Sequence, residues 1–377
     1  MTGRTVGSSK PRMGSPAPKQ VVYLLGAGAT QSECSYLGAS PINLLMRAND
    51  ELGPGVAERI LERMNKSLRA AFQEGEGADL EKFISLLVVC NVDKLSRQAE
   101  SIRKLYFLEI RDSLARAKIL DKPRLAIGLL KMHSNVTFRT RVEDLRGIIT
   151  TNHDGLLQLA AHDVFSEVNI GFPFASNDFK VSRNSAPPIL QLHGSFTWKF
   201  SVPVQVSPLK ETSDYSVDTV WIPPTILKES KTYPFNKLTG LAYELLSKEC
   251  DVLRVVGSSL TQNDWNIQSL IFSAQKHREL TRNTAFRIEL IMSPEAGDNI
   301  CRDCEYFKNL VSIGYLTEGH FADYKEDKSR WEPEMKNPFA YWMKQKILYH
   351  RGRGDFGAGP LDPVMAEIVG EPHEAQG

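Results

Sequence analysis

The chain has 377 residues, 42% hydrophobic and 24% charged, with a formal net charge of +1 at pH 7. That length allows a large core in one domain or two, while a near-zero net charge offers no field for nucleic acid or an anionic membrane. No apolar stretch approaches the roughly 20 residues of a membrane span, so we expect a cytoplasmic protein without membrane or direct nucleic-acid contacts.

Residues 1–19 are rich in Gly, Ser, Pro and basic residues and read as a flexible tail rather than a secretory signal. The run VVYLL (21–25) reads as a short strand. Gly26-Ala27-Gly28-Ala29-Thr30 is a turn that opens a helix continuing through Leu44 and Leu45. From about Val56 to Met132 the apolar residues recur at three- and four-residue spacing. Helices are expected over 56–72, 78–92 and 100–120, and we read about 52–145 as a helical module inserted after the first βα unit.

Strand-turn-helix alternation returns with LRGIIT (145–150), the polar turn Thr151-Asn152-His153-Asp154 and a helix over 155–165. PILQL (188–192) is a strand ending at His193, and residues 200–235 are proline-rich and read as irregular. A helix (237–250), the strand DVLRVV (251–256), a helix (264–280) and the strand FRIELIM (286–292) follow. Helical stretches are expected at 301–311 and 337–350, with a glycine-rich loop beyond. The βαβ rhythm argues an α/β fold of Rossmann-like type, a doubly wound parallel sheet carrying the helical module. Its domain would span 20–325, leaving 326–377 as a C-terminal helix and glycine-rich tail.

Four polar or glycine-rich turns therefore follow four strands, and in an open parallel sheet ligands bind at the carboxyl ends of the strands. Gly26 and Gly28 would allow a tight turn and let backbone N–H groups approach a pyrophosphate, though a plain βα turn has the same sequence. Position 31 is Gln, so the three-glycine dinucleotide fingerprint is incomplete. Asn152 and Asp154 suit a helix cap, yet a cap leaves most of the run Thr150 to Asp154 unexplained. An asparagine amide can both donate and accept, which suits a ribose hydroxyl or a water. His193 ends a strand at a turn, where imidazole suits proton transfer near neutral pH, although a lone histidine is commonly structural. The other seven histidines lack such a setting. Gly257-Ser258-Ser259 could bind phosphate or ribose oxygens, or cap the next helix. Cys301-x-x-Cys304 has no second pair, so no metal is expected. The five cysteines read as reduced thiols.

In order and spacing, these segments resemble the Sir2 (sirtuin) superfamily over about residues 20–295. The resemblance implies that Gly26, Ala27, Gly28, Ala29 and Thr30 bind the pyrophosphate of NAD, with Thr151, Ser258 and Ser259 also on the cofactor. It implies that Asn152, His193 and Asp154 are the catalytic residues, with Asn152 on the water or the ribose hydroxyls, His193 as general base and Asp154 orienting the nicotinamide-side ribose or its loop, and that Gly257 opens a turn on NAD. Gly38-Ala39-Ser40-Pro41 is similar to the family's cofactor-covering loop, which adds Pro41. Sirtuin deacylases carry four zinc cysteines between the histidine and the GSS turn, where this chain has only Cys250. The pattern, with its WIPPTILK stretch, looks closer to the bacterial Sir2-like NAD glycohydrolases of antiphage defence. These act as oligomers or beside partners such as a HerA-type ATPase. The expectations are an NAD hydrolase with NAD as substrate, in a homo-oligomer or with a partner. Lysine deacylation and non-catalytic NAD or ADP-ribose binding stand as alternatives.

Overall fold

A computed structural model describes residues 17–31, 34, 49–50, 54–55, 58, 62, 93–141, 143–181, 186–223, 231–258, 264–282, 286–292 and 347–351. In chain order the elements are β1 (Lys19–Leu25), α1 (Ala27–Gln31), α2 (Asp93–Arg116), α3 (Arg124–Ser134), α4 (Val136–Arg141), β2 (Glu143–Thr150) and α5 (Leu156–Phe165). There follow β3 (Phe174–Ala175), β4 (Ile189–Gln191), β5 (Gly194–Lys199), β6 (Val204–Val206), β7 (Thr219–Trp221), α6 (Phe235–Lys248), β8 (Val252–Val256), α7 (Trp265–Arg282), β9 (Arg287–Met292) and β10 (Ile347–Arg351). The fold is α/β.

Six strands form one sheet in the order β10-β9-β8-β1-β2-β4, and every pairing in it is parallel. The chain builds β1, β2 and β4 outward in one direction, then returns to lay β8, β9 and β10 on the other side of β1. Val21 to Leu25 of β1 run apolar without alternation, and β8 does so apart from Arg254, because helices cover both faces. Val21 to Leu25 and all of β8 are buried. On one face Tyr23 reaches His133 of α3. Gly147, the register partner of Val22, turns the other way, where a Cβ would meet Leu245 of α6 at 2.7 Å. α3 packs with α5, and α6 with α7.

A second sheet has the order β3-β6-β5-β7, with β5 antiparallel to both neighbours. Its short strands β6 and β7 lie in the stretch expected to be irregular. A second apolar cluster joins α2, through Phe107, Leu108, Ile110 and Leu114, to Phe196 of β5 and Leu156 of α5. The helical expectation for 337–350 is corrected at its end. Ile347–Arg351 is a strand pairing with β9, because a neighbouring open strand edge decides the conformation of a short apolar run that local spacing leaves ambiguous. Of the helix expected at 56–72 only Glu58 and Glu62 are described, both helical, while the helices expected at 78–92 and 301–311, the tail through residue 16, and Cys301 and Cys304 lie outside the described residues.

Candidate functional site

In a parallel sheet all carboxyl ends share one edge, so the turns after β8, β1, β2 and β4 emerge side by side in that order. These are the four turns singled out in the sequence. The chain reverses its direction of sheet building between β1 and β8, which makes the Gly26 and Gly257 turns the flanks of the switch point, the place where ligands bind in open α/β sheets.

The glycines of those two turns first serve packing. The Gly26 N–H donates to Val256 O at 2.9 Å, the Gly28 N–H to Gly257 O at 2.8 Å, and the Ala29 N–H to Gly26 O at 3.0 Å. A Cβ on Gly28 would lie 2.8 Å from Gly257 O, and one on Gly26 would lie 2.6 Å from Ser258 Cβ. The backbones touch with no room for a side chain; two amides are consumed in joining them and a third, that of Ala29, closes the first turn on itself. The resemblance read from the sequence assigns these amides to a pyrophosphate.

The β2 turn is tied to the glycine turn by a knot of side chains. Thr150 Oγ1 donates to Leu25 O at 2.9 Å and accepts the Asn152 N–H at 3.1 Å, while the Thr151 N–H reaches Leu25 O at 3.3 Å. Asn152 Nδ2 donates to Gly26 O and to Thr30 Oγ1, both at 3.0 Å. Thr30 Oγ1 in turn donates to Asp154 Oδ2 at 2.8 Å, and the Leu156 N–H donates to Asp154 Oδ1 at 3.0 Å. Asp154 is buried, and burial pushes its carboxyl above the usual range against the pull of those two donors. Both of its oxygens hold the loop together. The two hydrogens of Asn152 Nδ2 are spent in the same way, which leaves Oδ1 as the acceptor for an incoming hydroxyl or water.

His193 sits between β4 and β5, and its carbonyl accepts the Ile222 N–H at 2.7 Å, docking the end of β7 on the turn. His153 shares this setting, contrary to the reading that no other histidine does. Its ring centroid is 6.1 Å from that of His193, 5.1 Å from Trp221, 5.4 Å from Phe196 and 6.2 Å from Tyr106. Its place between Asn152 and Asp154 was the available signal. Its aromatic neighbours come from α2, β5 and β7, which no local pattern links to it.

Three carbonyls of the β2 turn are gripped from the β4–β5 segment. The Leu192 N–H donates to Thr150 O at 2.9 Å, Gln191 Nε2 to Asn152 O at 3.0 Å, and both Ser195 Oγ and the Phe196 N–H to His153 O at 2.9 Å. Gln158 of α5 donates to Gln191 Oε1. Asn152 and His193 thus stand on two turns bolted together along one edge. The edge offers two imidazoles and an amide acceptor: groups able to move a proton, orient a water and hold a hydroxyl.

Ala27 lies in α1, whereas Pro41 and Ser259 lie outside the described residues. Among the described residues no three His, Cys, Asp or Glu side chains gather as a metal site, and no helix is long and apolar enough to cross a membrane. No family model and no curated protein matches the chain.

Proposed function

We propose that the chain is a Sir2-like NAD glycohydrolase on a Rossmann-like, doubly wound core with an inserted helical module. One observation carries the reading: the glycine, Asn152, His193 and Gly257 turns occupy four adjacent strand ends around the switch point. NAD would lie across that edge, its phosphates toward the Gly26–Thr30 and Ser258 turns and its nicotinamide ribose toward Asn152 and His193.

Cleavage breaks the ribose C1–nicotinamide nitrogen bond, and the bonding pair leaves with nicotinamide. An oxocarbenium-like centre is left for water to attack. Asn152 Oδ1 accepts a hydrogen bond from that water or from a ribose hydroxyl, and His193 takes the proton lost as the new C–O bond forms. The products are nicotinamide and ADP-ribose. Asp154, through Thr30, holds the Asn152 amide against the glycine turn. By the same resemblance, the cell context is NAD depletion in antiphage defence, within a homo-oligomer or beside a partner such as a HerA-type ATPase.

The test is to incubate purified protein with NAD and quantify nicotinamide and ADP-ribose. His193→Ala and Asn152→Ala should each lose about 10²–10⁴-fold in rate, and an added acyl-lysine peptide should change nothing. Unchanged NAD consumption by both variants refutes the assignment. The commitment of Asn152 Nδ2 to Gly26 and Thr30 favours a second reading, a module that binds NAD or ADP-ribose without turnover. That reading predicts saturable binding with no nicotinamide released.

A further inference from the structure

We propose that Gln191 is a positioning residue that sets Asn152 against His193 through a buried amide relay anchored by Gln158; its catalytic meaning rests on the NAD-cleaving reading. Gln158 and Gln191 are each 1% exposed. Gln158 Nε2 donates to Gln191 Oε1, and Gln191 Nε2 donates onward to Asn152 O at 3.0 Å. Gln158 Oε1 is buried with no hydrogen-bond partner among the described residues. Two amides with an orphaned oxygen are a poor way to stabilise an apolar core, where a leucine pair of similar size would avoid the desolvation cost. A polar relay retained in such a place specifies a geometry.

The other anchors show which geometry. Thr150 O is held by the Leu192 N–H, and His153 O by Ser195 Oγ and the Phe196 N–H. These bonds pin the β2 turn on both sides of Asn152. The Asn152 carbonyl itself is held by the Gln191 side chain. Gln191 is also two residues ahead of His193 in the chain. One side chain therefore gauges the separation of the two turns at the point where the reaction would occur. Without it the flanking bonds keep the fold, but the peptide after Asn152 can rotate, and a small misplacement of a reacting group costs rate steeply.

The experiment compares wild type, Gln191→Leu and the double variant Gln158→Leu/Gln191→Leu in three measurements. These are nicotinamide release from NAD, thermal unfolding, and amide hydrogen exchange of peptides covering residues 150–154. Gln191→Leu should lower kcat by about 10–100-fold while KM for NAD moves by less than about threefold, because the glycine turns are untouched. Its unfolding midpoint should fall, since two buried partners are orphaned. The double variant also replaces Gln158, leaving only the Asn152 carbonyl without its Gln191 donor, and should recover part of the lost midpoint but not kcat. Exchange over 150–154 should quicken in both variants. A double variant that regains kcat along with its midpoint assigns Gln191 to packing and overturns the proposal, as does unchanged exchange over 150–154. If wild type releases no nicotinamide while Gln191→Leu still quickens exchange there, the positioning role stands and the NAD-cleaving reading falls.

Discussion

Alanine at Gly257 tests whether the glycine turns are required for packing one another. The residue has φ of +60°, which an alanine side chain disfavours by about 1–2 kcal/mol. Its Cβ would lie 2.1 Å from Ala29 N and 2.4 Å from Gly28 C, whereas ordinary contact begins at 3.4 Å. The turn must therefore retreat by about 1.3 Å (3.4 − 2.1), against backbone that cannot swing aside. That movement breaks the Gly28 N–H to Gly257 O bond, now 2.8 Å, at a further cost of about 0.5–1.5 kcal/mol. With residual strain the total is about 2–4 kcal/mol, read by urea unfolding. Gly128 in α3 and Gly240 in α6 are the controls, because a Cβ there meets nothing within 4 Å. Alanine at either should stabilise by about 0.5–1 kcal/mol through helix propensity. The reasoning fails if Gly257→Ala lies within about 0.5 kcal/mol of wild type, or if all three alanines shift stability in the same direction.

Three further outcomes follow from buried and half-buried polar groups. Glu143 and Arg254 form a bidentate pair at 2.6 and 2.7 Å, each side chain 8% exposed, so Glu143→Gln should cost about 3–5 kcal/mol. Glu143→Leu/Arg254→Met should recover most of that in urea unfolding, and a double variant as unstable as the single one contradicts the argument. Burial, with Arg254 nearby, lowers His133 from 6.5 to about 3, so the unfolded chain takes up a proton that the folded one refuses. The stability that rests on a neutral His133 should be full above pH 6.5 and decline as the pH falls toward 3, and His133→Gln should flatten that limb; equal slopes would count against it. Thr30→Val removes the hydroxyl that bridges Asn152 and Asp154. It should cost about 1–3 kcal/mol and slow nicotinamide release, and a variant with normal stability and rate would remove Thr30 from the site.

Turn chemistry is local, and for that reason the site's outline was legible in the sequence. Glycines at 26, 28 and 257, the run Thr150 to Asp154 and His193 after an apolar run each marked a strand end from their own neighbours alone. The apolar run of β1, and that of β8 interrupted only by Arg254, likewise announced strands buried on both faces. The tertiary structure decided everything that rests on pairing between distant segments. The strand order that sets β8 beside β1 made the Gly26 and Gly257 turns partners, and it turned their glycines into a packing requirement. The small second sheet is not legible in the sequence because β3, β6 and β7 are two or three residues long and exist only through cross-strand bonds. β10 likewise depends on the edge that β9 offers. His153 acquired its setting from Tyr106, Phe196 and Trp221, and Gln191 from Asn152 and Gln158. A side chain's type is written in the chain, but its neighbours across such distances are chosen only when loop-closure entropy is overcome by the packed core.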